Sequence, residues 1–226
     1  MKPARARFVL LVSAAVLAIA SSASAATPTA SPPPSLPGAP APSSSLVAEG
    51  FVLIAEEKGV KVYRREQRPG LELAAEGKLD ATPERVRRLL IDYPSHHSWQ
   101  QRLKESRVIT RGTDCLDVYQ RLQLPVIDDR DFTLHVTWGS DAKVFWLRFA
   151  TAKGQGPPPV DGVVRVTEQE GGWRLEPADG GLATLAIYRF HMDLAGSLPS
   201  GAGHGQAADA LPELFASISK QLPSYR

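Results

Sequence analysis

From Leu103 to Asp193 the chain is an almost unbroken series of short stretches in which apolar and polar residues alternate, and this restricts the fold more than any other feature. The stretches are LKESRVITR (103–111), DCLDVYQRLQL (114–124), DFTLHVTWG (131–139), KVFWLRFAT (143–151), GVVRVTEQ (162–169), WRLEP (173–177) and LATLAIYRFHMD (182–193). Period-two alternation marks strands whose side chains point by turns to the two faces of a sheet. The connections are short and carry Gly, Asp or Pro, as in the run Pro177-Ala178-Asp179-Gly180-Gly181. Parallel neighbours need a crossover helix between them, and no repeated helix interrupts this series, so the prediction is an antiparallel meander.

Further strands are predicted at VKVYRRE (60–66) and LELAAEGKLD (71–80), around a turn at Pro69-Gly70. Helices are predicted in three places. Ser45 caps the first, Leu46 to Lys58, where Val47, Phe51 and Ile54 make an apolar stripe that Gly59 ends. Thr82-Pro83-Glu84 starts the second, whose Val86, Leu89, Leu90 and Tyr93 fall on one face before Pro94 stops it; SHHSW (95–99) is then a loop. The third runs from about Asp209 to Leu222, with Pro212 in its first turn and Leu211, Leu214, Phe215, Ile218 and Leu222 in its stripe. A stripe this apolar must be buried, and the sheet is the available surface.

Phe132, Leu134, Val136 and Trp138 share one strand face, opposite Asp131, Thr133, His135 and Thr137. Leu116, Val118, Leu122 and Leu124 share another with Gln120, and Ala186, Tyr188, Phe190 and Met192 a third. One covered face is what these strands require. The last strand is apolar on both sides at its start, which predicts that part of it is covered twice. A long curved sheet served by three modest helices either closes as a solid core or encloses an apolar cavity, and the pattern alone leaves these equal.

Residues 1–25 have a different organisation. Lys2, Arg5 and Arg7 precede an apolar run from Phe8 to Ala20, followed by small residues with an A-x-A pattern ending at Ala25. This is the layout of a secretory signal peptide, so the expected location is periplasmic or secreted. Its three basic residues account for the positive sign of the net charge of +2, and nothing else argues for nucleic acid as a partner. Residues 26–45 are a Pro/Ser/Ala-rich linker. The single cysteine, Cys115, excludes an intrachain disulfide framework.

The domain, residues 46–222, resembles the START family, the steroidogenic-acute-regulatory-related lipid transfer module, in its bacterial form within the helix-grip superfamily. The pieces that carry the resemblance fall in family order: GVKVYRRE (59–66), AEGKLDATPERV (75–86), LLIDYPSHHSWQQRLKESRVI (89–109), VYQRLQLP (118–125), DDRDFTLHV (128–136), GVVRV (162–166) with WRLEP (173–177), IYRFHMDLAGSLP (187–199) and LPELFASISKQL (211–222). The most specific are the D-R-D-[FY] block and Y-x-F-H-x-D-x-x-G-x-[LI]-P.

The resemblance implies an α+β helix-grip fold: a curved antiparallel sheet of about seven to nine strands wrapped against a long C-terminal helix, with an internal tunnel for a lipid or sterol. It implies binding, and possible transfer, of a hydrophobic ligand without catalysis or cofactor. Candidate lining residues are Leu122, Phe132, Leu134, Trp146, Tyr188 and Phe190 on the sheet, and Leu211, Leu214, Phe215 and Ile218 on the helix. Phe145, Leu147 and Phe149 occupy the other face of Trp146's strand, so which side faces inward is open. His135, Arg189 and His191 are candidates for polar contact with the ligand if their faces turn inward. The expected partners are an apolar small molecule or lipid and, transiently, a membrane; the expected state is a monomer. One departure from the family stands out. The segment SLPSGAGHGQAADALP (197–212) has glycines at 201, 203 and 205 where Trp and Asn are usual, which predicts a mobile gate.

Little in the chain suggests chemistry. The five histidines, His96, His97, His135, His191 and His204, lack metal-ligand spacing, and no G-x-S-x-G motif occurs. Asp128-Asp129-Arg130-Asp131 reads as a structural ion-pair corner joining two strands. The alternatives are a polyketide cyclase-like or hydrolase-like enzyme using His135 or His191 as acid–base, and a ligand-free interaction module.

Overall fold

The structure, a computed structural model, describes residues 46–67, 70–123, 128–193 and 204–226, with backbone only for 204–208. The signal peptide, the linker, Ser45, Pro69 and the glycines at 201 and 203 lie outside the described residues.

The sheet has ten strands. They are β1 (Val52–Glu57), β2 (Val60–Arg64), β3 (Leu71–Leu79), β4 (Leu103–Arg111), β5 (Cys115–Leu122), β6 (Asp129–Asp141), β7 (Val144–Thr151), β8 (Val163–Arg165), β9 (Glu168–Ala178) and β10 (Ala183–Asp193). The helices are α1 (Pro83–Ile91), the short α2 (Tyr93–His96) and α3 (His204–Gln221). The spatial order is β1-β2-β3-β10-β9-β7-β6-β5-β4, with β8 beside β6. The meander from β4 to β10 is therefore real, and its last strand closes onto β3. The α1–α2 segment carries the chain from β3 to the edge strand β4; α1 packs on β7, β9 and β10, and α2 on β4.

Several expectations are corrected. Residues 46–58 are a turn followed by β1, not a helix. Lys58 (φ 53°) and Gly59 (φ 74°) both adopt left-handed backbone between the paired Glu57 and Val60, the tight hairpin loop that matches strand twist. Val47, Phe51 and Ile54 thus never share a helix face: Phe51 is buried while Val47 and Ile54 are exposed. The stretch 162–177 divides differently, into a three-residue β8 parallel to β6 and an eleven-residue β9. So one pairing in the sheet is parallel. The second helix ends at Ile91, Tyr93 starts a separate short helix that includes Ser95 and His96 of the expected loop, and α3 begins at His204, which places Gly205 within the helix and Pro212 in its interior.

The helix starts obey local chemistry. Thr82 Oγ1 accepts from the Arg85 N–H at 3.4 Å, Pro83 takes the first turn, and Glu84 faces the positive end. The main core lies between the sheet's inner face and the helices, where Val86, Leu89 and Leu90 of α1 and Leu211, Phe215 and Ile218 of α3 are buried against the strands. A smaller cluster of Leu46, Phe51, Tyr63, Ala74 and Ile187 lies on the outer face, so the segment 46–51 supplies the second cover predicted for the last strand. Arg65 and Arg189 hold that segment down: Arg65 Nη1 donates to the Glu49 carbonyl at 3.0 Å, Arg189 Nη1 pairs with Glu49 Oε2 at 2.5 Å, and the Arg65 guanidinium lies 4.5 Å over the Phe51 ring.

Glycines mark the sheet's close approaches. A Cβ at Gly171 would sit 2.3 Å from the Arg189 carbonyl oxygen, and one at Gly172 2.4 Å from that of Leu147. Both neighbours of β9 therefore press on it at one point, a place where only glycine fits. Gly77 of β3 lies under the ring of Phe215, so α3 seats directly on the strand.

Candidate functional site

Unbroken register fixes which side chains share the inner face. One row across the sheet reads Trp138, Leu147, Trp173, Tyr188, Ala75 and Val62, each directly opposite the next. A neighbouring row carries Phe149, Gly171 and Phe190. These rows bring together an aromatic group: Trp173 stacks on Tyr188 with ring centroids 4.4 Å apart, Tyr188 on Phe190 at 5.5 Å, Phe149 lies 6.3 Å from Tyr188, and Phe215 of α3 comes down on Trp173 at 5.5 Å. The bare Cα of Gly171 leaves room for the edge of Phe149.

Tyr188 and Phe190 are only half-buried, as is Leu214 of α3, although all pack against the main core. Burial pushes the Tyr188 phenol well above its ordinary range, and does the same for Tyr93 of α2, with the neighbouring Tyr188 adding to it. Tyr188 thus lies among the core side chains while part of its surface stays uncovered.

Most predicted lining residues meet on this face. Phe132, Leu134, Leu211, Phe215 and Ile218 are buried there, and Leu122, Tyr188, Phe190 and Leu214 sit partly buried against them. Trp146 does not: it lies on the opposite face of β7, its ring against Gly139, while Phe145, Leu147 and Phe149 point inward. Both faces of β7 carry large apolar residues, so alternation could not choose between them. Trp173 was absent from the predicted lining because Gly171-Gly172 interrupts the alternation of β9; its pairing with Tyr188 is the signal that places it.

The three polar candidates all lie on the outer face. His135 pairs across strands with Asp117, Nδ1 to Oδ1 2.7 Å. Arg189 grips Glu49, and His191 is buried opposite Glu72 and Glu170, out of phase with Tyr188 and Phe190. The D-R-D corner is a structural joint, as expected, but between β6 and β8: buried Asp131 takes both Arg165 nitrogens, at 2.6 and 2.9 Å, and the Tyr119 hydroxyl donates to it at 3.0 Å. Burial, with the Asp131 carboxylate beside it, pushes the Tyr119 phenol up to about 12. Asp131 and Thr133 face outward yet are buried, because the segment joining β7 to β9 covers them: Arg165 reaches the Pro157 carbonyl, and Gly156 lies on Thr133.

The START domain profile matches residues 48–214. The chain belongs to the START domain family. Among solved structures, a STAR-related lipid transfer protein from Xanthomonas axonopodis is similar with a TM-score of 0.70 at 23% identity, covering 77% of this chain and 99% of that one. Human STARD10 gives 0.71 at 20% identity, covering 80% and 78%, and human StAR-related lipid transfer protein 5 gives 0.68 at 21%, covering 78% and 88%. No curated protein matches the sequence. The START domain here thus has the helix-grip architecture of those structures, with its aromatic group in the grip.

Proposed function

We propose that this START domain binds one apolar lipid against the inner face of its sheet, under α3, and carries it without chemical change. The observation that carries the reading is the aromatic group around Tyr188, which packs against the main core under Phe215 of α3 while Tyr188 and Phe190 stay only partly buried. Such a surface offers buried apolar area, worth about 25 cal/mol per Å², and few hydrogen bonds, which suits a lipid and not a sugar or nucleotide. The reading as a carrier rather than an enzyme is supported by the side chains available among the described residues. His135 and His191 face away from the aromatic group, and its tyrosines, with phenols raised by burial, are poor acids at neutral pH.

The protein works as an exported monomer: the N-terminal signal delivers it across the membrane, and it loads and unloads by touching a membrane surface transiently. Native mass spectrometry of protein recovered from its host, followed by lipid extraction, tests the central claim. A co-purifying lipid in one-to-one ratio is the expected result. Protein that arrives empty and takes up no fatty acid, phospholipid or sterol would falsify it.

A further inference from the structure

Gln169 stands on the inner face of β9, directly opposite Met192 and four residues before Trp173 on the same side of the strand. It is 8% exposed. Its main chain is satisfied by Thr151 of β7: the backbone N–H donates to Thr151 Oγ1 at 2.8 Å, and the Thr151 hydroxyl donates to the Gln169 carbonyl at 3.2 Å. The side chain is another matter. Its amide oxygen, Oε1, is sealed from solvent and accepts no hydrogen bond. The row reads Leu134, Thr151, Gln169, Met192 and Leu71, so apart from the Thr151 hydroxyl, which is engaged with the Gln169 main chain, its neighbours are apolar. A buried amide left unmatched costs the fold its full desolvation penalty, so a position like this persists where something else completes it.

We propose that Gln169 is the polar anchor of the lipid site, and that the ligand is an uncharged lipid bearing a hydroxyl, which bonds the Gln169 amide while its apolar body lies along β9 toward Trp173 and Tyr188. The inference rests on the lipid-binding reading above and names the ligand class for that same site. A hydroxyl both donates and accepts, so it satisfies either end of the amide. Four residues of extended strand put Gln169 about 13 Å from Trp173, so head and body of one ligand reach both. A phosphate is a poor fit because a buried charge must be paired. The buried guanidinium on this face among the described residues, Arg130, donates to the Asp128 carbonyl at the start of β6, four residues along from Leu134 and away from Gln169's row.

The test uses the full protein, stripped of lipid, and three probes that differ only at the head: 1-hexadecanol, hexadecane and hexadecyl phosphate. Occupancy is read by native mass spectrometry across a concentration series. The wild type is expected to prefer hexadecanol to each of the others by about ten-fold, the worth of one buried hydrogen bond. Gln169→Leu is expected to abolish that preference and to raise the melting temperature of the empty protein, since it removes the orphaned amide oxygen. A wild type that takes all three probes equally, or prefers the phosphate, overturns the anchor and leaves the lipid-binding reading standing. Uptake of none of them, nor of any lipid in the extraction experiment, overturns both. If Gln169→Leu fails to fold, Gln169→Met provides the same comparison, and the wild-type preference is decisive without either variant.

Discussion

Gly171 shows how much one missing carbon atom controls. Phe149, Phe190 and the β10 backbone converge on it, and a Cβ there would meet the Arg189 carbonyl at 2.3 Å and the Phe149 ring at 2.5 Å. Backbone cannot step aside as a side chain can, so Gly171→Ala is expected to cost about 1–3 kcal/mol by overpacking, read from urea unfolding, and to disturb the near-ultraviolet signal of Trp173. Gly77→Ala meets side chains rather than backbone, the Phe215 ring at 2.9 Å and Val60 Cγ2 at 3.1 Å, and is expected to cost less than Gly171→Ala in the same assay. At this scale the sequence was legible where alternation was clean. Phe132 and Leu134 fell on the inner face as their pattern required. It was illegible where both faces of a strand are apolar, at Trp146, and where glycines interrupt the pattern, at Trp173. Gln169 left no mark at all, since a glutamine on a strand reads as solvent-facing until its neighbours are known.

Among the elements, β8 depends most on a single ion pair. Asp131 is 1% exposed and bonded to Arg165 and Tyr119 at once, so removing its carboxylate strands a guanidinium and a phenol under the segment joining β7 to β9. Asp131→Ala is expected to cost about 3–5 kcal/mol and to raise amide exchange in residues 163–166 before the rest of the sheet. The α1–α2 junction is sensitive to pH instead. His96 is buried between Tyr93 and Trp99, at centroid distances of 4.6 and 5.0 Å. Its Nε2 faces the Leu89 carbonyl at 3.2 Å and must carry the hydrogen, because a carbonyl only accepts. Burial lowers its pKa to about 4, against the opposing pull of that carbonyl and of Asp92. The unfolded chain therefore takes up a proton that the folded chain refuses. The contribution is complete above the unfolded value of about 6.5, is lost as pH falls from there to about 4, and amounts to roughly 3 kcal/mol. Urea melts at pH 7 and pH 4 measure it, and His96→Phe is expected to flatten that part of the slope. A capping residue announced the start of α1 correctly at Thr82, whereas Ser45 announced a helix that does not form. Residues 52–57 misled because VLIAEE has no clean period of either kind, and its strand character comes from the Lys58-Gly59 turn that folds it onto β2.

At the scale of the whole molecule the proposed apolar ligand would be part of the stability. A site that binds only the folded state raises the melting temperature with ligand concentration, by about 2.7 kcal/mol at a hundred times Kd. Delipidated protein is accordingly expected to melt lower than protein as isolated, and to recover when lipid is returned; equal melting temperatures would count against a filled site. Intact mass bears on the proposed export: a chain beginning after Ala25 in the periplasm or medium is the expected product, and a full-length chain in the cytosol is the contrary one. The antiparallel sheet was legible in a long series of strand patterns, whereas the family was legible only through the resemblance carried by blocks such as D-R-D-F and Y-R-F-H-M-D. The closing of the sheet was not, because the match of β10 to β3 depends on residues far apart in sequence.

That match has a consequence for how the protein is made. Leu79 pairs with Thr184 and Leu71 with Met192, so the strands synthesised first wait for the strand synthesised almost last. Until β10 leaves the ribosome, β1 to β3 have no neighbour to continue the sheet, and α1 lacks part of the floor it packs on. Contacts this distant in sequence form late, after the cost of closing a very large loop. The first three strands therefore wait for their sheet partner until most of the chain has been made, while the meander from β4 to β9 pairs neighbours close in sequence. A chain truncated before Ala183 is expected to remain open to protease along β1 to β3, and the complete chain to become resistant there in one step.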